Sequence, residues 1–188
     1  MRNTDKINFM SQDEISRFFK AIKGKRDKIM FLIAYRHGLR ASEVGLLRVG
    51  DVDLEHSRLR VHRLKGSIGG MHRLQADELR LLKAYMKSLA IKDGCLFPSN
   101  RKQPISRRNL DYLMKGYCKR ANIAKEKSHF HVLKHSIATH LIEAQMGIEF
   151  VQDWLGHRYI ENTLIYASIT NRSRDNGADI AFSRLEKM

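Results

Sequence analysis

HVLKHSIATHLIEAQMGIEFVQDWLGHRYIENTLIY, residues 131–166, is the stretch on which the reading of the fold turns. Its apolar residues recur at helical spacing, which predicts a helix over 132–146 with Gly147 just past its end. A shorter helix is expected from Ile148 to about Leu155, closed by Gly156, and another piece from Asn162 to Ile169. The same stretch holds the side chains that can do chemistry. His131 and Lys134 are three apart and share a helical face, with His135 and His140 close to that face. His157 and Tyr166 follow. A tyrosine on a short helix is ordinarily a packing residue, so Tyr166 draws meaning only from its company.

The chain upstream is also mainly helical. Ser11 and Glu14 form an S-x-x-E capping box for a helix through about Ile22, and residues 1–10 are a lead-in. Gly24 breaks the pattern, Asp27 can cap a second helix, and Gly38 is placed to end it with positive φ. A short third helix follows, with Ser42 and Glu43 in its first turn and Val44, Leu46 and Leu47 as anchors. The period then changes. Val52–Leu54 reads as a short strand, and Leu59, Val61 and Leu64 alternate with basic residues. Met71–Leu74 returns beyond a turn containing Gly66, Gly69 and Gly70. A helix from Leu79 to about Ala90 and another capped by Ser106 complete the pattern.

Composition narrows the partner. The 188 residues carry 35 Lys+Arg against 20 Asp+Glu, a net charge of +15, which points to a polyanion and most simply to nucleic acid. Arg101, Lys102, Arg107, Arg108, Lys115 and Lys119 gather around one helix and read as a DNA-facing surface rather than only a solvated one. Cys95 and Cys118 fit neither a metal spacing nor a disulfide framework, so a reducing intracellular setting is expected. There is no apolar run long enough for a membrane span, and the first residues lack a signal peptide's apolar core. Zinc on His131 and His135 would need a third ligand, and the H-E-x-x-H pattern is absent. Lys65 precedes the glycine-rich turn, but no G-x-x-x-x-G-K-[ST] loop accompanies it. Arg40 opens a helix, where a cation is out of place unless an anion joins it.

Taken in order, G-L-R-A-S-E-V at 38–44, Lys65 before its turn, H-V-L-K-H-S-I-A-T-H-L at 131–141, L-G-H at 155–157 and T-L-I-Y at 163–166 resemble the catalytic domain of tyrosine recombinases, the phage-integrase and Xer-type family. The likeness spans about residues 8–170. It implies a mainly α domain with a small antiparallel three-stranded sheet, acting on double-stranded DNA as a homo-oligomer, a tetramer on synapsed DNA. It further implies cytoplasmic, nucleoid-associated work, on a mobile element or in recombination generally, without metal, ATP or cofactor. By the same resemblance Tyr166 is the nucleophile, Arg40 the first arginine and Lys65 the hairpin lysine. His131 matches the histidine of H-x-x-R, His157 the His/Trp position, and Glu43 the supporting acid. Lys134 departs from the pattern, standing where the family has arginine. The family's N-terminal core-binding domain has no counterpart before residue 11, so the expected layout is a catalytic domain over 11–170 and a tail, 171–188, able to dock in trans. Two other readings stay open: a DNA-binding relative impaired in cleavage by Lys134, and a type IB topoisomerase-like activity.

Overall fold

The computed structural model describes residues 7–64, 66–89, 93–167 and 182. Eight α-helices and one sheet are found among them: α1 Gln12–Ala21, α2 Lys25–Arg36, α3 Ala41–Val44, β1 Val52–Asp53, β2 Arg58–Val61, β3 Gly70–Arg73, α4 Ala76–Leu89, α5 Arg107–Arg120, α6 His131–Glu143, α7 Ile148–Leu155 and α8 Glu161–Ala167. The sheet runs β1-β2-β3, all antiparallel, with Val52 opposite Leu59 and Leu59 opposite His72. The expected mainly α architecture with a three-stranded sheet is what forms.

Local chemistry explains most boundaries. The Ser11–Glu14 box closes reciprocally, with Ser11 N–H donating to Glu14 at 2.8 Å and Glu14 N–H to Ser11 at 3.2 Å. Ser106 Oγ accepts the Asn109 N–H and starts α5. Gly38 follows α2 at φ 58. Three expectations need correction. Asp27 does not cap α2; Gly24 does, and Asp27 lies within the first turn, buried, accepting the Tyr117 hydroxyl at 2.5 Å. Gly147 does not end α6. Gln145 takes the left-handed conformation at φ 59, and Gly147 caps α7 instead. Leu46 is exposed, because α3 is a single turn and only Val44 and Leu47 reach the core.

Helix α2 is the centre of packing and lies against α4 and α6. Phe31 meets Phe18 of α1, Tyr117 of α5 and Phe130 at ring separations of 5.4, 5.6 and 5.6 Å. Helix α6 is buried nearly all round, which accounts for its apolar run without a polar stripe. A buried polar knot closes the end of α2. His37 pairs with His72 on β3 and Glu78 on α4, while Trp154 on α7 lies 4.2 Å from the His72 ring. Burial, then the neighbouring His37 and Arg63, pushes His72 down to about 3. No helix among the described residues is long and apolar enough to cross a membrane.

Candidate active site

Helix α6 begins at His131 and turns His131, Lys134 and His135 into a cleft of about 550 Å³. Arg40, Ser67, His157 and Tyr166 line it as well. Five of the residues singled out in the sequence, Arg40, His131, Lys134, His157 and Tyr166, therefore meet at one place. They come from the start of α3, from α6, from the α7–α8 turn and from α8. Lys65 lies outside the described residues, as does the tail from 171 apart from Phe182, which is exposed.

Tyr166 is 2% exposed, and burial pushes its phenol up to about 12 against the pull of Arg40. Its hydroxyl lies 2.9 Å from Nδ1 of His135. His131 packs edge-on against His135 with rings 4.4 Å apart, so it stands one ring away from the phenol. Burial, then neighbouring charge, brings both imidazoles down to about 4. His135 is thus neutral at pH 7 and can accept the phenol proton at Nδ1. On the other side, His157 lies parallel to the Tyr166 ring, 6.5 Å away. Its Nδ1 is 2.9 Å from Thr163 Oγ1, which fixes the ring and leaves Nε2 for the cleft.

The cations rest on one carboxylate. Glu43 is fully buried. It accepts the Arg40 side chain at 2.8 Å, the Arg40 N–H at 2.9 Å, Arg63 at 3.2 Å and the Leu64 N–H at 3.2 Å. Burial works against its charge, but these donors outweigh it and hold the carboxyl below the usual range. Arg40 also reaches Ser67 Oγ at 3.1 Å, and its side chain is 27% exposed, so it can still contact a ligand. Arg63 has no such freedom. Its side chain is fully buried and donates to the carbonyls of His37, Gly38 and Trp154 at 2.8 Å each. It ties the end of α2, the end of β2 and α7 together beneath the site.

Lys134 is 1% exposed and donates to the Leu155 carbonyl at 2.9 Å. Burial first, then Arg63 and Arg40, draw its ammonium down to about 6, with Glu43 resisting. The hairpin turn leading away from Lys65 is seated on the same spot. Ile68 N–H donates to the Gly156 carbonyl at 3.0 Å, and Gly156 holds φ 66 where a β-carbon would run into the Ile68 carbonyl and Arg63.

Outside the cleft, Arg101, Lys102, Arg107, Arg108, Lys115 and Lys119 are all exposed. Arg107 and Lys115 line a recess of about 490 Å³ that shares Arg40 and His131 with the cleft. Arg108 borders the next recess along α5. Lys119 lies roughly 18 Å beyond Arg107 along the helix axis. Arg101 and Lys102 sit in the preceding loop, apart from these recesses.

Three participants escaped the sequence reading. Arg63 carries a usable signal: the alternation that buries Leu59 and Val61 continues onto position 63. The His135 contact with Tyr166 and the Thr163 contact with His157 depend on how α8 lies against α6 and α7, and periodicity does not report that. Among the described residues no group of three or more His, Cys, Asp or Glu is placed to hold a metal ion.

A family model described as "Phage integrase family" matches residues 8–172. The tyrosine recombinase XerA of Thermococcus kodakarensis is 34% identical over 169 residues, 86% of this chain and 58% of its own length. The type 1 fimbriae regulatory protein FimB of Escherichia coli (strain K12) is 32% identical over 173 residues, 87% of this chain and 85% of its own. In three dimensions the chain is similar to a crystal structure of XerA recombinase, with a TM-score of 0.82 at 25% identity, covering 96% of this chain and 66% of that one. It has the fold of XerH site-specific recombinase in its pre-cleavage complex with difH substrate, with a TM-score of 0.75 at 24% identity, over 89% of this chain and 52% of that one. The chain thus spans somewhat more than half of the XerA sequence and most of FimB.

Proposed function

The chain belongs to the phage integrase family as a tyrosine recombinase catalytic domain, and on that premise we propose that it cuts and rejoins DNA at a specific site through a 3′-phosphotyrosyl intermediate. One observation carries the proposal. A buried tyrosine, its hydroxyl on a neutral histidine, faces a cleft whose fixed cations outnumber its carboxylates.

Placement of the described residues supports each role except that of Lys65, which rests on the resemblance. Tyr166 Oη attacks the phosphorus and the 5′-oxygen leaves, so one phosphoester replaces another. The phenol resists ionisation, which makes proton removal part of the barrier. His135 takes the first hydrogen bond from it, and His131, edge-on to His135, is the base or shuttle that passes the proton to solvent. Arg40 holds nonbridging oxygens, while Glu43 keeps the guanidinium oriented from below. His157 donates from Nε2 once Thr163 occupies Nδ1. Lys134 adds a donor from the cleft floor, and Lys65, on the hairpin, is the proposed acid for the leaving oxygen. Such fixed donors stabilise charge that develops on the phosphate. The phosphotyrosyl bond retains the ester's free energy, so a second 5′-hydroxyl can reverse the step without ATP. Exposed Arg107, Arg108 and Lys115 extend the positive surface along which a duplex would run. Duplex DNA is the partner we assign, on a homotetramer and in a nucleoid-associated cytoplasmic setting.

The test is a DNA duplex nicked beside the cleavage point, which traps the covalent product. A protein–DNA adduct in denaturing gels that disappears in Tyr166→Phe is the expected result. Tight binding without any adduct would instead favour a non-cleaving DNA-binding relative, the reading that buried Lys134 suggests. On a separate, closed supercoiled circle, relaxation without strand-exchange products would favour topoisomerase-like activity.

A further inference from the structure

We propose that Lys134 is a proton-coupled phosphate clamp, uncharged in the empty cleft and charged once a DNA phosphate enters it. The inference rests on the reading of the cleft as a phosphodiester site and concerns how that site acquires its charge.

The geometry leaves the Lys134 ammonium without a counter-charge. Its side chain is buried, and its hydrogen-bond acceptor is a neutral carbonyl, that of Leu155 at the end of α7. A helix C-terminus favours a cation only modestly, and a neutral amine can donate to the same oxygen. The one carboxylate in the neighbourhood, Glu43, is already engaged by Arg40 and Arg63. No ion pair between Lys134 and a carboxylate forms among the described residues. Two arginines sharing one carboxylate leave surplus positive charge, and a third buried cation beside them is repelled by both. A buried lysine in that position gives up its proton, and its affinity for one is accordingly drawn from 10.5 down to about 6.

An incoming phosphodiester reverses the balance. It places a full negative charge against Arg40 and Lys134 together, and the amine takes a proton from solvent to meet it. The proton returns to solvent when the phosphate departs. Arginine cannot behave this way, because its guanidinium stays charged throughout. The other groups facing Lys134 do not mimic it. His131 and His135 on α6 and His157 after α7 are brought down to about 4, 4 and 3, so they stay neutral well above that range. Tyr166 on α8 is pushed up to about 12, and Glu43, paired with Arg40 and Arg63, is held below the usual carboxylate range. Of these described groups, Lys134 is the one whose proton affinity is drawn close to neutral pH.

Calorimetry gives a direct reading. Duplex DNA, enriched from a random pool by binding to this protein, is titrated into Tyr166→Phe protein at about pH 8 in buffers of different ionisation heat. The dependence of the heat on buffer counts the protons exchanged. The expected result is about one proton taken up per bound protomer, and about none when Lys134→Arg is added. Affinity should also weaken by up to about tenfold per pH unit above the free-state midpoint, and lose that slope with arginine. Equal heats in all buffers, or uptake that survives Lys134→Arg, would overturn the clamp while leaving the DNA reading intact. Absence of DNA binding under any condition would overturn the phosphodiester reading itself. A measurement on the unsubstituted protein needs no variant to fold: the Lys134 side-chain resonance, followed by NMR, should titrate near pH 6 without DNA. A lysine still fully charged at about pH 9 would sink the idea.

Discussion

Replacing Arg63 with methionine removes the guanidinium while keeping much of its volume. The side chain is fully buried and makes four hydrogen bonds, to the carbonyls of His37, Gly38 and Trp154 and to Glu43. Three orphaned carbonyls cost roughly 1 kcal/mol each when buried, and a charged acceptor losing one donor adds about 1–2 kcal/mol. Against this, the variant no longer desolvates a cation, and the arginine's own Nε has no partner to lose. The net expectation is a loss of about 3–4 kcal/mol, a large part of a typical total stability of about 5–15 kcal/mol. Urea unfolding at pH 7, followed by fluorescence of Trp154, measures it. Because Arg63 and Glu43 touch, Arg63→Met with Glu43→Gln should cost less than the two single changes added, by about 1–2 kcal/mol. A single-variant loss below about 1 kcal/mol, or strict additivity in the double variant, would refute the claim that this buried pair holds the site together.

Two further predictions concern the frame of the site. Gly156→Ala should lower the melting temperature by at least about 3 °C, since a left-handed φ costs roughly 1 kcal/mol for a residue with a β-carbon. The new methyl also meets the Ile68 carbonyl and Arg63, and an unchanged melting temperature would show that the hairpin is not seated there. The second prediction follows from His72, which is held at about 3 when folded against an ordinary value of 6.5. Between those values the unfolded chain binds the extra proton, so stability should be full above pH 6.5 and fall as pH drops below it. This one group contributes up to about 1.4 kcal/mol per pH unit. Urea midpoints measured down to about pH 4 should show a shallower acid slope in His72→Phe than in the unsubstituted protein, and parallel slopes would contradict it.

The elements could be read in the sequence where they are built from local chemistry. The Ser11–Glu14 box, the Ser106 cap and the glycines at 38 and 156 act within a turn of themselves, and each does what its sequence context implies. Errors arose where two residues compete for one task. Asp27 is a good cap by type, but a buried phenol recruits it, and Gly24 takes the cap. Gln145 ends α6 before the helix reaches Gly147. The candidate site was legible as a set of residue types in order, with Arg40, His131, Lys134, His157 and Tyr166 reaching one cleft. Which histidine touches Tyr166 was not legible. His131 and His135 lie one turn apart on one helix face, and the choice between them is made by α8. Nor does composition tell a solvated lysine from a buried one. The depressed Lys134 ammonium comes first from burial against the end of α7 and then from Arg63 and Arg40 beside it, and both are products of the tertiary fold.

Arg63 directs three of its four hydrogen bonds to main-chain oxygens. A carbonyl is present whatever side chain a position carries, so point mutation at residues 37, 38 or 154 does not delete an acceptor. The selective burden of maintaining the hub therefore falls on two codons, those for Arg63 and Glu43. Mutational scanning should therefore find positions 63 and 43 intolerant of exchange, while at 37, 38 and 154 any cost comes from packing or backbone conformation and never from a lost acceptor.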